Sequence, residues 1–498
     1  MIHYNSLKMK NIIDQIPKEA RAVAGMLEYS GFEAYFVGGC VRDLLLKKEP
    51  KDWDITTNAT PEEIIKIFPK TFYENKYGTV GVVNEETTNP SLKVIEVTPY
   101  RIEGDYKDNR HPDTILFSKN IEDDLSRRDF TINALALNLK GHIIDNYKGQ
   151  SHISSGELCS VGNANERFQE DALRILRAVR LSTELGFMIN KDTEKAIIEN
   201  NHLLKSISRE RVRDEFVKIV SCENPYTGLS LLRSLNLMSY IVPELEETYD
   251  IGQNKAHRFD VWTHLLKSLQ HAADKRWPLS IRLAALFHDI GKPRSRRFSK
   301  EKNEWTFYGH DVISAKMTER ILNELRFQKA LIQEVVTLVR WHMFFSDTEQ
   351  ITLSAVRRII ANVGTDHIWD LMNLRICDRV GTGRPKENPY RLRKYKSMIE
   401  EVLHDPITVS MLKINGKGII DATKSKPGPK IGFILHALLE EVLNDPKKNT
   451  IEYLTERSKT LYDLPDEELL KIGIKAKETK DKEEEKQLEE IRKKHWVS

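Results

Sequence analysis

Two aspartates separated by one residue, Asp52 and Asp54, have the type and spacing that suit catalysis. Residues two apart in an extended segment project from the same face, so the two carboxylates are expected to converge. Mg²⁺ prefers hard oxygen ligands and is usually held jointly by protein carboxylates and substrate phosphates. Because an isolated Asp-x-Asp is most often an ordinary acidic turn, its interpretation depends on the residues before it.

Those preceding residues predict a turn that can bind phosphate. Residues 35–37 form a short apolar run typical of a buried strand, and Gly38 with Gly39 then permits a tight turn without Cβ crowding. The apolar pattern resumes over residues 41–46 and predicts a helix whose N-terminal amides point toward that turn. A triphosphate held there would lie beside the two carboxylates, which indicates a site that handles nucleotides.

Basic residues further along the chain suit the same ligand. Residues 124–138 are predicted to form a helix with Ser126 as its N-cap, and Arg127 and Arg128 lie at its start. Adjacent arginines more often decorate a surface, but guanidinium groups also bind phosphate in a bidentate way.

A pair of opposite charges, Asp171 and Arg174, lies in a segment that predicts one continuous helix from Asn165. Residues three apart lie side by side on a helix. The simple interpretation is a structural ion pair worth about 0.3 kcal/mol. The alternative is base selection: the Asp accepts from the exocyclic amino group of cytosine or adenine, and the Arg donates to the ring nitrogen. Such a pair would take CTP and ATP and reject UTP and GTP without a nucleic-acid template.

A second set of possible metal ligands lies within residues 257–378. The adjacent His288 and Asp289 end an apolar helix just before residues 290–293 (IGKP), a pattern that resembles the HD-domain metal phosphohydrolase signature. The resemblance implies four ligands, His264, His288, Asp289 and Asp378, with His310 and His342 as possible extra ligands. Imidazole and carboxylate ligands fit Mn²⁺, Ni²⁺ or Zn²⁺, and such a centre could hydrolyse phosphate esters. A body domain retained only for packing is the competing interpretation.

Length and composition bound the remaining possibilities. A chain of 498 residues is long enough for about three or four domains. A net charge of +3 does not indicate a nucleic-acid partner, so any basic surface must be local. The four cysteines are far apart, which fits a reducing cytoplasm rather than a disulfide framework. The sequence has no signal-peptide pattern and no run of about 20 apolar residues, so no membrane association is expected.

The nucleotide-site motifs together resemble the bacterial-type (class II) tRNA nucleotidyltransferases, the CCA-adding enzymes, and their poly(A) polymerase relatives. The resemblance runs from about residue 20 to about 450. It implies an α+β head with a small mixed sheet, similar to the DNA polymerase β-like nucleotidyltransferases, followed by an all-α neck, an HD body and a tail. The expected domains are a catalytic head (1–155), a templating neck (156–225), a body with the HD domain (226–384) and a tail that contacts tRNA (385–498).

The resemblance also implies the reaction, in which an RNA 3′-hydroxyl attacks the nucleotide α-phosphate with Mg²⁺ held by Asp52 and Asp54. The expected partners are the tRNA 3′ end, CTP and ATP; the sequence leaves open whether the protein is a monomer or a homodimer. Residues expected to bind nucleotide are Gly38, Gly39, Arg42, Asp43, Arg127, Arg128, Asp129, Asn133, Asp171, Arg174, Arg177 and Arg180. Glu96, on a predicted strand, is a possible third carboxylate.

Two positions depart from the family pattern. Asp145 and Gly149 look like the hinge motif, but His152 stands near the place of its second acidic residue, and Cys159 replaces a frequent basic residue. Residues 103–120 are predicted to form a polar loop, and residues 104–112 (GDYKDNRHP) within it resemble the flexible loop associated with the change from CTP to ATP.

Several functions remain open at this stage. The relatives include poly(A) polymerases and specialised CC-adding or A-adding enzymes, which these motifs do not separate safely. A metal phosphohydrolase whose N-terminal half only binds RNA is an alternative of another class. A non-catalytic RNA-binding module is a third.

Overall fold

The structure is a computed structural model that describes residues 12–73, 78–103, 115–253, 258–301, 303–344, 351–384 and 386–469. The chain divides into two compact units, Met1–Pro243 and Glu244–Ser498. The finer division into head, neck, body and tail stays a prediction. The central part of the 103–120 loop and the charged segment 475–494 lie outside the described residues.

A seven-stranded mixed sheet lies in the first unit, as the resemblance implied. Its strands are Ala34–Val37 (β1), Asp54–Thr57 (β2), Thr71–Tyr73 (β3), Val80–Val83 (β4), Val94–Pro99 (β5), Ala136–Leu137 (β8) and Ile143–Ile144 (β9). Their order is β3-β4-β5-β2-β1-β8-β9. Strands β2 and β5 are parallel, and the other neighbours are antiparallel. Strands Arg101–Glu103 (β6) and Ile115–Phe117 (β7) form a separate antiparallel pair.

Three helices precede or connect the first strands: Lys18–Tyr29 (α1), Gly39–Leu45 (α2) and Pro61–Ile67 (α3). Helix α3 begins with a capping box in which Thr60 and Glu63 bond each other's backbone amides, and Pro61 takes the first position. The core against the sheet includes Phe36 and Ile55, both fully buried.

The helix predicted over residues 124–138 is wrong. Helix Ile121–Ser126 (α4) ends where that helix was expected to begin, and a 3₁₀ turn at Thr131–Asn133 then leads into β8. Ser126 is the last residue of α4 and its hydroxyl donates to the carbonyl of Asp123, so it is not an N-cap. The reason is burial on all sides: Phe130, Ile132 and residues 134–137 are all fully buried, whereas an amphipathic helix buries one face.

The first unit continues with helices and one small parallel strand pair. The helices are Gly149–Ser155 (α5), Ala164–Glu170 (α6), Leu173–Leu185 (α7), Lys191–Asn200 (α8), Arg209–Ser221 (α9), Pro225–Ser234 (α10) and Met238–Ile241 (α11). The strands are Glu157–Leu158 (β10) and Met188–Ile189 (β11). The 3₁₀ helices are Pro90–Leu92 and Asn201–Ser206. The continuous helix predicted from Asn165 is broken at Asp171, whose carboxylate accepts from the amide of Leu173 at the start of α7.

The second unit is mainly helical. A short helix, Pro243–Glu246 (α12), lies at the boundary. The following helices are Val261–Asp274 (α13), Leu279–Phe287 (α14), Lys292–Ser295 (α15), His310–Glu324 (α16), Lys329–Trp341 (α17), Leu353–Val363 (α18), Ile368–Gly381 (α19), Tyr390–Val402 (α20), Gly416–Thr423 (α21), Pro429–Asn444 (α22) and Ile451–Tyr462 (α23). Strands Arg297–Ser299 (β12) and Glu304–Thr306 (β13) form a hairpin, and 3₁₀ helices lie at Val409–Met411 and Pro446–Lys448. Residues 412–469 share a hydrophobic cluster of their own.

Among the described residues, none of the helices has both the length and the apolar character needed to cross a lipid bilayer.

Candidate active site and metal centre

The packing of Trp53 determines which way the side chains of Asp52 and Asp54 point. Trp53 is buried and packs edge-on against Phe36, with ring centroids 5.8 Å apart. Because side chains alternate along extended backbone, Asp52 and Asp54 project away from that core. Burial raises the pKa of the Asp54 carboxyl above its usual value; Arg128 opposes this, and the Asp52 carboxylate adds to it. Two carboxylates that disfavour each other's charge suit a divalent cation.

Glu96 lies beside Asp54 in the parallel pairing of β2 and β5. Side chains of directly paired residues lie on the same face of a sheet. The register is therefore compatible with a third carboxylate, whose role stays a prediction.

The turn at Gly38 brings backbone, carboxylate and guanidinium together. Gly38 has φ 75° and ψ −131°, a backbone conformation that residues with a side chain rarely adopt. A Cβ at this position would lie 3.1 Å from Arg128 Nη1 and 3.9 Å from Asp54 Oδ2. Arg128 is thus next to both the glycine turn and Asp54, where a nucleotide phosphate is expected.

A buried carboxylate positions the two adjacent arginines. Asp124 is fully buried; its Oδ1 accepts from Arg127 Nε at 3.0 Å, and its Oδ2 accepts from Arg128 Nη2 at 2.9 Å. Burial alone would raise the pKa of Asp124, but Arg128 and Arg127 outweigh it and hold the pKa below its usual value. Sequence reasoning missed Asp124, although its spacing of three and four residues from the arginines is the signal of a helical ion pair.

Five predicted nucleotide-binding residues form one hydrogen-bonded chain. Arg42 donates to Asp43 at 2.8 Å and to Asn133 Oδ1 at 2.7 Å. Asn133 Nδ2 donates to Asp129 Oδ1 at 3.2 Å, and Arg177 on α7 donates twice to Asp129 Oδ2. Burial would raise the pKa of Asp129, but Arg177 and Asn133 hold it well below its usual range.

Asp171 and Arg174 are placed differently from the sequence prediction. Arg174 donates to Glu170 at 2.6 Å and to the Arg127 carbonyl at 2.8 Å, while Asp171 accepts from Arg211 at 2.8 Å. The interpretation as a mutual ion pair is therefore wrong, because each side chain bonds another partner. Arg211 is a polar partner that the sequence did not connect to this pair.

Arg180 points to the neighbouring helix instead of joining these residues. Its guanidinium donates to Glu215 at 2.7 Å and to Glu184 at 2.9 Å. Glu215 is almost fully buried, so this contact joins α7 to α9. A direct nucleotide contact by Arg180 stays a prediction.

Six predicted metal ligands converge in the second unit. One ligand atom from each of His264, His288, Asp289 and Asp378 lies within 4.8 Å of the others, and Asp289 forms a second such group with His310 and His342. The Nε2 atoms of His264 and His288 are 2.9 Å apart, and His264 Nε2 is 3.1 Å from Asp289 Oδ2. These side chains are nearly inaccessible to solvent.

The hydrogen bonds behind these ligands fit a metal. The Nδ1 atoms of His288, His310 and His342 lie 2.9, 2.7 and 2.7 Å from the carbonyl oxygens three residues earlier. An Nδ1–H donated to a carbonyl leaves Nε2 with its lone pair toward the cluster, the usual outer support of a histidine ligand. Three imidazoles facing a buried carboxylate are the donor set of a transition-metal centre.

Cationic side chains balance the two carboxylates of this cluster. Lys292 Nζ lies 2.6 Å from Asp289 Oδ2, and Arg375 bonds Asp378. Burial by itself would lower the pKa of His288, but Asp289 and Asp378 raise it to about 9. Lys292, which sequence reasoning did not single out, follows Asp289 by three residues in the same signature segment.

Family comparisons cover both units. Residues 34–159 match the family described as "Poly A polymerase head domain", residues 186–248 match "Probable RNA and SrmB- binding site of polymerase A", and residues 261–367 match "HD domain". The CCA-adding enzyme of Geobacillus thermodenitrificans is 35% identical over 450 residues, which is 89% of this chain and 98% of the relative. The chain belongs to the CCA-adding enzyme family. It is a nucleotidyltransferase, and the expected family and fold class are confirmed.

Other CCA-adding enzymes are similar to this chain over nearly its whole length. The enzyme of Lactiplantibacillus plantarum is 31% identical, with 91% of this chain and 99% of the relative covered. A solved structure of the Bacillus stearothermophilus CCA-adding enzyme in complex with CTP superposes with a TM-score of 0.66 and 28% identity, covering 89% of this chain and 98% of that one. The matched HD segment ends before Asp378, and the structure places Asp378 with His264 and His288, as the resemblance implied.

Proposed function

We propose that this CCA-adding enzyme family member adds C, C and A to the 3′ end of tRNA, using CTP and ATP without a nucleic-acid template. The 3′-hydroxyl oxygen forms a bond to the α-phosphorus, the bond from that phosphorus to the β-phosphate oxygen breaks, and pyrophosphate and a proton leave. The observation that carries the proposal is the grouping of Asp52 and Asp54 with the Gly38 turn and Arg128.

Asp52 and Asp54 would hold Mg²⁺, which supplies charge stabilisation at the phosphoryl group and orients the attacking and leaving oxygens. The remaining work falls to the protein's own donors. Gly38 lets the main chain approach the triphosphate, while Arg128 adds a guanidinium beside Asp54. Arg42 is held toward the same motif by Asn133. Positioning and electrostatic stabilisation of this kind account for most of phosphoryl-transfer catalysis.

Base selection would use Asp171 and Arg174 as separately held groups. Arg174 is almost fully buried and is fixed by Glu170 and two carbonyl oxygens, which limits its movement. Asp171 is held by Arg211, so its carboxylate has a defined direction before any base arrives. A fixed acceptor and a fixed donor match the amino group and ring nitrogen shared by cytosine and adenine. Uracil and guanine present the opposite pattern.

The test is to incubate the protein and Mg²⁺ with tRNA that lacks its 3′ CCA, supplying each labelled nucleotide separately and then CTP with ATP. Two C additions followed by one A, abolished in Asp52→Ala and indiscriminate in Asp171→Ala, would support the proposal. A long A tail would instead assign poly(A) polymerase activity, and C addition that never proceeds to A would assign CC addition. Absence of incorporation would contradict the proposal.

The grouped ligands of the second unit support a second activity, metal-dependent hydrolysis of phosphate esters. His264, His288, Asp289 and Asp378 would hold the metal, which supplies Lewis-acid activation of water and phosphate. Lys292, bonded to both Asp289 and Gln253, would keep Asp289 oriented. The assay is release of phosphate from cyclic and linear phosphate esters with added Mn²⁺, Ni²⁺ or Zn²⁺. Turnover lost in Asp289→Ala but retained in Asp52→Ala would assign it to this centre; no turnover with any of the three metals would favour a packing role.

Binding of tRNA beyond its 3′ end is part of the same proposal. The match of residues 186–248 to an RNA-binding family supports a contact from the first unit. In the tail, Lys430 donates to the Leu464 carbonyl and pairs with Asp466, whereas Lys426 is exposed. Lys426, in the basic segment 426–430 (KPGPK) that leads into α22, is therefore the better candidate for a backbone contact.

We place this activity in a reducing compartment, the cytoplasm. All four cysteines of the chain are free thiols, and Cys40 and Cys377 are buried. Free cysteines are typical of proteins kept in a reducing environment.

A further inference from the structure

A second group of metal-ligand side chains lies in the first unit, apart from both sites described above. It consists of His152 on α5, Glu157 at the start of β10 and Cys159 directly after β10. One ligand atom from each residue lies within 4.8 Å of those of the other two, and all three side chains are half-buried. A nitrogen, an oxygen and a sulfur donor at this separation need shifts of only about an ångström to share one ion with bonds of about 2.0–2.3 Å.

Thr131 orients two of the three residues. Its hydroxyl lies 2.8 Å from His152 Nδ1, and its amide donates to the Cys159 carbonyl at 3.0 Å. With Nδ1 engaged in this way, Nε2 of His152 makes no hydrogen bond to any described residue and is available as a ligand. A second hydrogen bond behind the ligating nitrogen is the normal support of a metal-bound histidine.

Glu157 is oriented in a similar manner. Its Oε1 accepts from Asn190 Nδ2 at 2.6 Å, which leaves Oε2 for another partner. Asn190 follows β11, the strand that pairs with β10, and its backbone N–H also donates to the Leu158 carbonyl. The hydrogen bond from Asn190 thus orients the Glu157 carboxylate.

We propose that His152, Glu157 and Cys159 bind a thiophilic divalent cation of the Zn²⁺ type. Imidazole, carboxylate and thiolate are the ligands that Zn²⁺ takes in proteins, and three protein ligands leave the fourth tetrahedral position for water. On binding, the Cys159 thiol loses its proton to the buffer and the sulfur bonds the metal. Mg²⁺ is not expected to bind, because it prefers oxygen ligands.

The location indicates what the ion would do. The ligands come from the two sides of the turn between α5 and β10, the segment that follows the hinge motif, and Thr131 belongs to the same segment as Asp129 and Asn133. His152 and Cys159 are also the two positions where this chain departs from the family pattern. A bound ion would clamp α5 to β10 and slow movement of the hinge segment.

The test uses Co²⁺ as a spectroscopic probe, titrated into the reduced full-length protein. Co²⁺ bound to a thiolate gives a charge-transfer band in the near ultraviolet, and the HD cluster contains no sulfur ligand, so the band reports on a cysteine site alone. We expect one equivalent of this band in the wild type, its displacement by Zn²⁺, its loss in Cys159→Ser and affinity weakened at least about tenfold in His152→Gln.

The matched control is Cys222→Ser, since Cys222 is another half-buried free thiol of the same unit. Cys222→Ser should keep the band. In this variant Zn²⁺ should slow hydrogen exchange over residues 149–160, whereas in Cys159→Ser it should not. Retained nucleotidyl transfer by Cys159→Ser shows that the variant is folded. No sulfur band in the wild type, or a band that survives in Cys159→Ser, overturns the proposal.

Discussion

Arg177 on α7 donates two hydrogen bonds to the same carboxylate oxygen of Asp129, at 2.8 Å from Nε and 2.6 Å from Nη2. Asp129 is 8% exposed and lies in the segment that also carries Arg128 and Asn133. The pair therefore connects a helix of the predicted neck to the motif beside the catalytic aspartates. Since α7 begins next to Asp171, the same helix borders the residues proposed to select the base.

Loss of this pair is expected to destabilise the first unit. Arg177→Met leaves the Asp129 carboxylate buried without its cation, and removing one partner of a buried pair is strongly destabilising. Because the Arg177 side chain is 36% exposed, we expect the free energy of unfolding to fall by about 2–3 kcal/mol, less than for a fully buried pair.

Trp53 is the only tryptophan among residues 1–243, so the ¹⁹F resonance of fluorotryptophan at this position follows denaturation of that unit. Arg213→Met, which breaks a more exposed pair with Asp214, is the control and should cost less than about 1 kcal/mol. Equal losses would show that burial of Asp129 is not the cause.

Gly38→Ala tests the close approach at the proposed triphosphate site. An alanine at φ 75° would strain the backbone, and its Cβ would lie only 3.1 Å from Arg128 Nη1 and push that guanidinium away. We therefore expect nucleotidyl transfer to fall about 10–100-fold. Gly31→Ala is the matched control, because Gly31 has φ +89° but a Cβ there meets nothing within 4 Å. Both variants should lose some stability through backbone strain, and only Gly38→Ala should lose activity. Comparable activity losses would assign the effect to strain alone.

Protonation of Asp124 should destabilise the first unit in acid. Its folded pKa lies below the ordinary value of 3.8, so its stabilising contribution is complete above that value and is lost as the pH falls through the folded pKa. Asp124→Asn should therefore reduce stability near neutral pH and flatten its decline between pH 5 and 3. The measurement is the denaturation midpoint of the Trp53 resonance across this range. Asp14 is exposed, so Asp14→Asn should leave the dependence of the midpoint on pH as in the wild type. An unchanged pH dependence in Asp124→Asn would refute the role of Asp124 in acid denaturation.

Sequence reasoning succeeded where local spacing determines geometry. The Gly38 turn and the alternation around Trp53 each depend on neighbouring residues, and the structure places both as expected. The histidine cluster was predicted through its family resemblance, since its members are up to 114 residues apart between His264 and Asp378.

The errors arose where tertiary contacts decide local structure. Residues 130–137 have helical spacing in part, yet burial on every side and pairing of the 129–131 backbone with residues 159–161 exclude a helix. At the break in the helix, the Asp171 carboxylate accepts from Arg211, which is 40 residues away. No local pattern identifies such a partner, and for the same reason the approach of His152 to Cys159 appears only in the folded chain.

The HD cluster should retain a transition metal that depends on His264. In a Cys159→Ser background, which removes the site proposed between α5 and β10, His264→Ala removes a ligand that is 2.9 Å from His288 and 3.1 Å from Asp289, so metal content after dialysis should fall from about one equivalent to near zero. His271 provides a matched control, because it is a largely buried histidine on the same helix and does not belong to the cluster. His271→Ala should keep its metal by elemental analysis, and both variants should keep nucleotidyl transfer. Equal metal contents in the two variants would contradict the ligand assignment.

Arg211 is expected to control base selection through Asp171. One of its nitrogens, Nη2, donates to Asp171 at 2.8 Å, while Nη1 is buried and makes no hydrogen bond within the described part of the chain. A buried donor without a partner is costly, and a bound base could satisfy it. Removing the guanidinium in Arg211→Ala frees Asp171 to rotate, so discrimination of CTP and ATP against UTP and GTP should weaken about 10–100-fold, while the maximal rate with CTP changes less.

The measurement is kcat/KM for each nucleotide on tRNA substrates ending one step before C or A addition. Arg213→Ala is the matched control on the same helix, since Arg213 bonds Asp214 rather than Asp171. If Arg211→Ala lowers kcat/KM for all four nucleotides equally, Arg211 supports folding or general binding. A selective gain of UTP and GTP incorporation, absent in Arg213→Ala, would show that the orientation of Asp171 is what distinguishes the bases.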